Sequence, residues 1–312
     1  MAGAPHGARG DDGPPPGPPP WLNREIQTKV TWRDGDIVVS VPPKSGTTWT
    51  MNIVHQLRSG GDGSFADIYA EVPWLEILPH PGADIDAIVA RIDGMSTERR
   101  RAFKTHAAPP DLPFQKAGAG PDVRYVVVAR NPDEAVASFY PFILSHSDAW
   151  FDLWGVPKEA VVGPDFDAYF AGLGSHAITP MVFGLIASWW QLRNEPNVLL
   201  VHYADLKRKP DESVRAIAEF VGFEPSDAQW PAILEYTSFG WMKAHEDKFE
   251  LRSVSETPIL NPGAMIRKGQ IGVSTEDGIT PAISATIAEI GRNILTDPAG
   301  FDWLYNGGDA TG

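Results

Sequence analysis

An α/β fold built on a doubly wound parallel sheet is what this chain predicts, and three observations carry that expectation. A compact apolar run, Ile37, Val38, Val39 and Val41, passes through a turn rich in hydroxyls into the helical spacing of Trp49, Ile53, Val54 and Leu57. A second run, Val123 to Ala129 (VRYVVVA), reads as the clearest buried strand and leads into a helix from about Pro132, with Asp133 and Glu134 in its first turn. Strand and helix patterns keep alternating afterwards, with VLLVHY at Val198 to Tyr203 followed by a helix from Pro210 to Val221.

Bulk properties narrow the function. At 312 residues and 43% hydrophobic, the chain is long enough for a sizeable core. Its 26 Lys and Arg against 40 Asp and Glu give a net charge of −14, which opposes general attraction to nucleic acid or an anionic membrane. An anionic ligand therefore needs a local basic pocket. With no cysteine, disulfides, thiolate metal sites and cysteine nucleophiles are excluded. Residues 1–20, MAGAPHGARGDDGPPPGPPP, lack a signal peptide's apolar segment and read as a flexible, Pro/Gly-rich tail ahead of one domain spanning 21–312. No apolar run is expected to reach the roughly 18 residues of a membrane span, so the expectation is a cytoplasmic protein with no membrane partner.

The first strand ends in PPKSGTTW, from Pro42 to Trp49. Unpaired N–H groups at a helix start, the helix dipole and the donors Lys44, Ser45, Thr47 and Thr48 suit a phosphate or sulfate, although such a turn also serves as a plain helix cap. It is not a Walker A loop, because Lys44 precedes Gly46. Next, Tyr69 to Leu78 (YAEVPWLEIL) carries Trp74 and apolar neighbours, but Pro73 argues against a regular central strand. It reads equally as a pocket-flanking loop or as core packing.

Arg101 to His106 (RAFKTH) is a short strand ending on Lys104 and His106. Catalytic groups gather at the carboxyl ends of parallel strands, so His106 and the Lys44 turn are expected to face one crevice, with Lys104 on the same side as His106. At the end of the Val123 strand, Arg130 and Ser138, two turns into the next helix, can converge on a second phosphate; a structural salt bridge is the alternative for Arg130. From Pro141 to Gly163 the aromatics Phe142, Trp150, Phe151 and Trp154 follow no regular period, as in an acceptor pocket or an irregular lid. Helices are expected at about Phe166 to Leu173 and Met181 to Leu192. Near the carboxyl end, Arg267, Lys268 and Gly269 suit phosphate binding, though adjacent cations are more often a solvated surface.

Taken in order, PKSGTTW, VPWLE, KTH, RYVVVARNPDEAVASFY, VHYADL, TSFGWMK and IRKGQIG resemble the soluble sulfotransferases that use 3′-phosphoadenosine 5′-phosphosulfate (PAPS). The resemblance runs from Pro43 to Gly272 and implies a P-loop-like doubly wound α/β fold, with PAPS as donor, PAP as product and no metal requirement. It implies that Lys44, Ser45, Gly46, Thr47 and Thr48 hold the 5′-phosphosulfate. It assigns Trp49, Tyr203, Thr237 and Phe239 to the adenine, and Arg130, Ser138, Arg267, Lys268 and Gly269 to the 3′-phosphate. His106 matches the catalytic base, and Lys44 and Lys104 would stabilise the leaving group. The family's RKGxxGDWK is cut short here, because RKGQIG continues as Val273, Ser274, Thr275 and Glu276.

The expected function is transfer of a sulfuryl group to a hydroxyl or amine of a small-molecule acceptor. Trp74, Phe142, Trp150, Phe151 and Trp154 are the candidate acceptor contacts. A nucleotide-dependent kinase and a non-catalytic nucleotide sensor are the rivals; the first lacks the Walker A order, and the Lys104 and His106 pair counts against the second.

Overall fold

The computed structural model of the chain describes residues 18–310. Four parallel strands, β1 (Ile37–Ser40), β2 (Ala102–Thr105), β3 (Arg124–Ala129) and β4 (Val198–His202), stand in the order β2-β1-β3-β4. The chain leaves β1 toward one side to form β2, then crosses to the other for β3. That reversal beside β1 opens a crevice at the carboxyl ends of the strands. The expected doubly wound sheet is therefore present.

Side chains that alternate along each strand feed two apolar layers. Ile37, Val39, Val126 and Val128 face one layer, which they share with the helices α1 (Thr47–Ser59) and α4 (Pro210–Val221). Val38, Tyr125 and Val127 face the other, with α2 (Pro132–Leu144), α3 (Thr179–Gln191) and α5 (Pro281–Ile294). Burying each Val, Leu or Ile contributes about 1.5–3 kcal/mol, so a sheet covered on both faces is the natural home for runs this apolar. At the start of α2, Asn131 caps the helix through Asp133 N–H and Pro132 fills the first turn.

Four details depart from the sequence expectation. Phe166 to Gln191 is one continuous helical run, with a π-helix at Phe170–Ile178 that starts inside the first expected helix and runs into the gap before the second. Its wider turn breaks the 3.6-residue rhythm that sequence periodicity relies on. This run is long and apolar enough, by length and composition, to cross a membrane, which corrects the expectation that none approaches that length. Here Val182, Phe183, Ile186 and Trp189 are fully buried against the sheet layer, as in a core helix.

Residues 1–17 of the expected tail lie outside the described residues, whereas Pro18 to Pro20 border the central cavity. The stretch from Pro141 to Gly163 is more regular than expected. It contains short helices at Asp148–Trp154 and Lys158–Val162, the first capped by Ser147.

Beneath the sheet, Arg101 and Asp36 form a fully buried pair just ahead of β2 and β1. Arg101 Nε donates to Asp36 Oδ1 at 2.9 Å and its Nη2 to Asp36 Oδ2 at 2.5 Å and to the Thr31 carbonyl at 2.7 Å. Removing one partner strands the other charge in the core. We expect Arg101→Met to cost about 3–5 kcal/mol of stability. Urea unfolding measures it, and the double variant Asp36→Asn, Arg101→Met should recover part of the loss.

Candidate active site

The turn from β1 into α1 sets the site. Lys44 and Gly46 both take left-handed backbone conformations, with φ of 62° and 97°. A side chain on Gly46 would bring its Cβ 2.7 Å from the Tyr203 ring, so the turn demands glycine in two independent ways. The first hydrogen bond inside α1 runs from Thr50 N–H to the Gly46 carbonyl, which leaves the preceding N–H groups aimed out of the helix start. Beside them the hydroxyls of Ser45 and Thr47 are buried without a hydrogen-bond partner among the described residues. Orphaned donors around an open helix start fit a tetrahedral anion.

A cavity of about 550 Å³ lies over this turn. Lys44, Gly46, Thr47, Thr48, Trp49, Trp74, Lys104, His106, Arg130, Ser138, Phe142, Tyr203, Thr237, Phe239, Arg267, Lys268 and Gly269 all line it. Ser45 is buried behind the turn. The structure thus gathers nearly every site residue singled out from the sequence. It separates three of the aromatic ones: Trp150, Phe151 and Trp154 stand behind the wall, packed around Trp21, which itself lines the cavity.

On one wall, β2 delivers Lys104 and His106. The segment carrying Trp74 runs along the edge of β2, with Lys104 N–H bonded to the Pro73 carbonyl and Leu75 N–H to the Lys104 carbonyl, both at 2.9 Å. Pro73 is tolerated at this edge position. Lys104 Nζ lies 2.9 Å from the centroid of the Trp74 ring. Burial lowers the Lys104 pKa, and the nearby Glu76 carboxylate opposes that shift.

Glu76 also accepts the His106 backbone N–H at 2.6 Å, which anchors the histidine at the end of β2. The His106 ring is held edge-on to Trp74 at 5.2 Å. Its Nδ1 is 2.6 Å from the Val41 carbonyl, which can only accept, so Nδ1 carries the proton and Nε2 keeps a lone pair. Burial, then the charge of Lys104, keep the His106 pKa well below that of free histidine. The imidazole is therefore neutral near pH 7.

The second anchor is Arg130. Its Nε donates to Glu134 at 2.8 Å, while its two terminal nitrogens donate to the carbonyls of Lys44 and Gln270, both at 3.0 Å. The structural salt bridge read from the sequence is present, and Arg130 also lines the cavity. It joins the β1 turn to the loop 267–272.

Arg267 is exposed and Lys268 half-buried, but both are tied down rather than freely solvated. Arg267 makes a two-pronged bond with Asp277, at 2.7 and 3.1 Å, and Lys268 reaches the same carboxylate at 2.8 Å. Glu134 accepts the Gly272 N–H and fixes the end of this loop. Asp277, Glu134 and Glu76 were not singled out from sequence, since acidic residues carry no signal until their cationic partners are placed. Lys44, 4.1 Å above the Phe142 ring, has its pKa pushed down to about 7 by burial, then by Arg130 and Arg267.

The sulfotransferase domain family matches residues 34–297. Sulfotransferase 1A1 of Rattus norvegicus is 28% identical over 261 residues, covering 79% of this chain and 80% of the relative. Among solved structures, mouse sulfotransferase SULT7A1 complexed with PAP superposes with a TM-score of 0.67 at 19% identity, covering 90% of each chain. Retinol dehydratase in a complex with retinol and PAP gives 0.65 at 21% identity, covering 88% of this chain and 84% of that one. A cleft with an anion cradle, a fixed neutral histidine and this fold defines a group-transfer enzyme. This chain belongs to the sulfotransferase family, whose reaction moves a sulfuryl group from PAPS.

The glycine requirement yields a test. Gly46→Ala should impose about 1–3 kcal/mol of strain at the cradle, weakening a bisphosphate nucleotide roughly tenfold or more while the protein stays folded. Titration calorimetry with PAP, alongside a melting curve, measures both.

Proposed function

We propose that this chain transfers the sulfuryl group of PAPS to a hydroxyl or amine of a small, largely apolar acceptor, with His106 as the general base. The observation that carries the reading is His106 itself. Its Nδ1 is spent on the Val41 carbonyl, so Nε2 is the basic atom on the wall shared with the Lys44 turn. Acceptor O–H deprotonation by Nε2 accompanies formation of the oxygen–sulfur bond and cleavage of the bond from sulfur to the phosphate oxygen. The donor supplies the sulfuryl group, and Lys44 and Lys104 neutralise the charge that grows on the departing oxygen.

The cradle from Lys44 to Thr48 would hold the 5′-phosphosulfate. Trp49, Tyr203, Thr237 and Phe239 would flank the adenine, a role supported by the bond from Trp49 Nε1 to the Thr237 carbonyl at 2.8 Å. Arg130, Ser138, Arg267, Lys268 and Gly269 would bind the 3′-phosphate. Asp277 would keep the two loop cations oriented where the family's Asp-Trp-Lys segment is missing. Ile143, Val156, Val161, Leu173 and Ile259 line the rest of the cavity, which supports an apolar acceptor. The one-domain organisation over 21–312 and a cytoplasmic location belong to the same proposal, the former supported by a family match across most of that span.

His106→Ala should lower kcat by roughly 10²- to 10⁴-fold. Because His106 is held well below the ordinary histidine pKa, the acid limb of kcat/KM for the acceptor should lie well under pH 6.5 in the native protein. A mass-spectrometric screen of acceptors with PAPS checks the first, and a pH profile the second. Full activity in His106→Ala would remove the base from the mechanism.

Lys44 gives a separate expectation. A bound anion raises the pKa of a neighbouring ammonium, so PAP binding should take up a proton at about pH 7.5 and weaken as pH climbs above 7. Calorimetry in two buffers of different ionisation enthalpy detects that proton. Lys44→Met should abolish the uptake.

A further inference from the structure

The reaction above leaves His146, a buried polar group on the cavity wall, unused. His146 follows α2, is 5% exposed and borders the cavity. Its Nδ1 lies 3.0 Å from the Phe142 carbonyl, which can only accept, so Nδ1 carries the proton and Nε2 the lone pair. Among the described residues no hydrogen-bond partner reaches Nε2, and Nε2 is not among the sealed, unpartnered atoms of the core.

The ring is rigidly placed. His146 N–H bonds to the Ile143 carbonyl at 3.2 Å, and the His146 carbonyl accepts Lys158 Nζ at 2.9 Å. Its neighbours are paired to a second segment, Ser147 N–H with the Ile259 carbonyl and Asn261 N–H with the Ser145 carbonyl, at 3.0 and 2.8 Å. The imidazole stands edge-on to Phe142 at 4.8 Å, and Lys44 sits over that same ring. The surrounding wall, Ile143, Val156, Val161 and Ile259, is apolar.

We propose that His146 is a specificity-determining residue, whose Nε2 accepts a hydrogen bond from a second hydroxyl or N–H on the acceptor, away from the group that is sulfated. The preferred substrates are then apolar molecules with two separated donors, such as diols, bisphenols or hydroxy-amines. This rests on the cavity being the acceptor site. The chemistry follows from desolvation: a ligand that covers Nε2 without offering a donor strips a lone pair of water and returns nothing. Burial pushes the His146 pKa down to about 4, with Lys44 adding to the shift, so the imidazole serves as an acceptor throughout the neutral range.

The test is equilibrium binding to the PAP-loaded protein, which needs no turnover. Matched pairs of apolar phenols or alcohols, identical except for a second hydroxyl at graded distances, are titrated against the native protein, His146→Phe and His146→Gln. The native protein should favour the best-placed two-donor member by about three- to tenfold. His146→Phe should bring that ratio to about one, with single-donor affinity held or raised because no lone pair is left to desolvate, and the protein still folded by its melting curve. His146→Gln, whose amide oxygen replaces Nε2, should restore part of the preference.

No gain from a second donor at any distance in the native protein overturns the proposal without reference to a variant. So does equal loss of both ligand types in His146→Phe, which marks a merely structural role. Failure of the base is read separately, as unchanged turnover in His106→Ala, and leaves these binding ratios standing.

Discussion

The backbone turn that carries the chain from β1 into α1 constrains everything at the site. With φ of 62° at Lys44 and 97° at Gly46, it rotates the start of α1 until its unpaired N–H groups face the crevice. The Gly46 position lets the Tyr203 ring lie against the turn, and Tyr203 in turn sits under the Arg130 guanidinium at 4.8 Å. Arg130 then clasps the Lys44 carbonyl and the Gln270 carbonyl. One left-handed glycine thus governs the approach of the first strand, the third strand and the carboxyl-terminal loop.

The electrostatics follow from the same crowding. A protein carrying −14 overall concentrates Lys44, Lys104, Arg130, Arg267 and Lys268 around one cavity. Burial first, and then the neighbouring cations, lower the pKa of Lys44 and keep His106 neutral. Carboxylates placed just outside the cavity, Glu76, Glu134 and Asp277, hold the cationic walls together. An anionic ligand completes this balance.

Much of this arrangement was legible in the residues. The runs IVVS and RYVVVA, buried on both faces, announced two central strands, and the order of Lys44 and Gly46 separated the cradle from a Walker A loop. From its place at a strand end, His106 was expected to face the crevice of the Lys44 turn, and it lines that cavity. The acidic partners were not, because Asp277 acquires meaning only when a fold brings it under Arg267 and Lys268. The π-helix escaped because its i→i+5 bonds have no sequence period of their own in nine residues. Trp150, Phe151 and Trp154 misled for a different reason: an aromatic cluster without a period looks alike whether it lines a pocket or supports the wall behind it.

The wall formed by Pro18 to Leu22 has an evolutionary implication. These residues border the cavity but lie ahead of the stretch, 34–297, shared with the family. The Lys44 turn and His106 stand at the ends of β1 and β2, whose residues are all buried, whereas this wall is contributed by a segment outside the sheet. Cavity shape can therefore change through substitutions near the amino terminus while β1 and β2 are left intact.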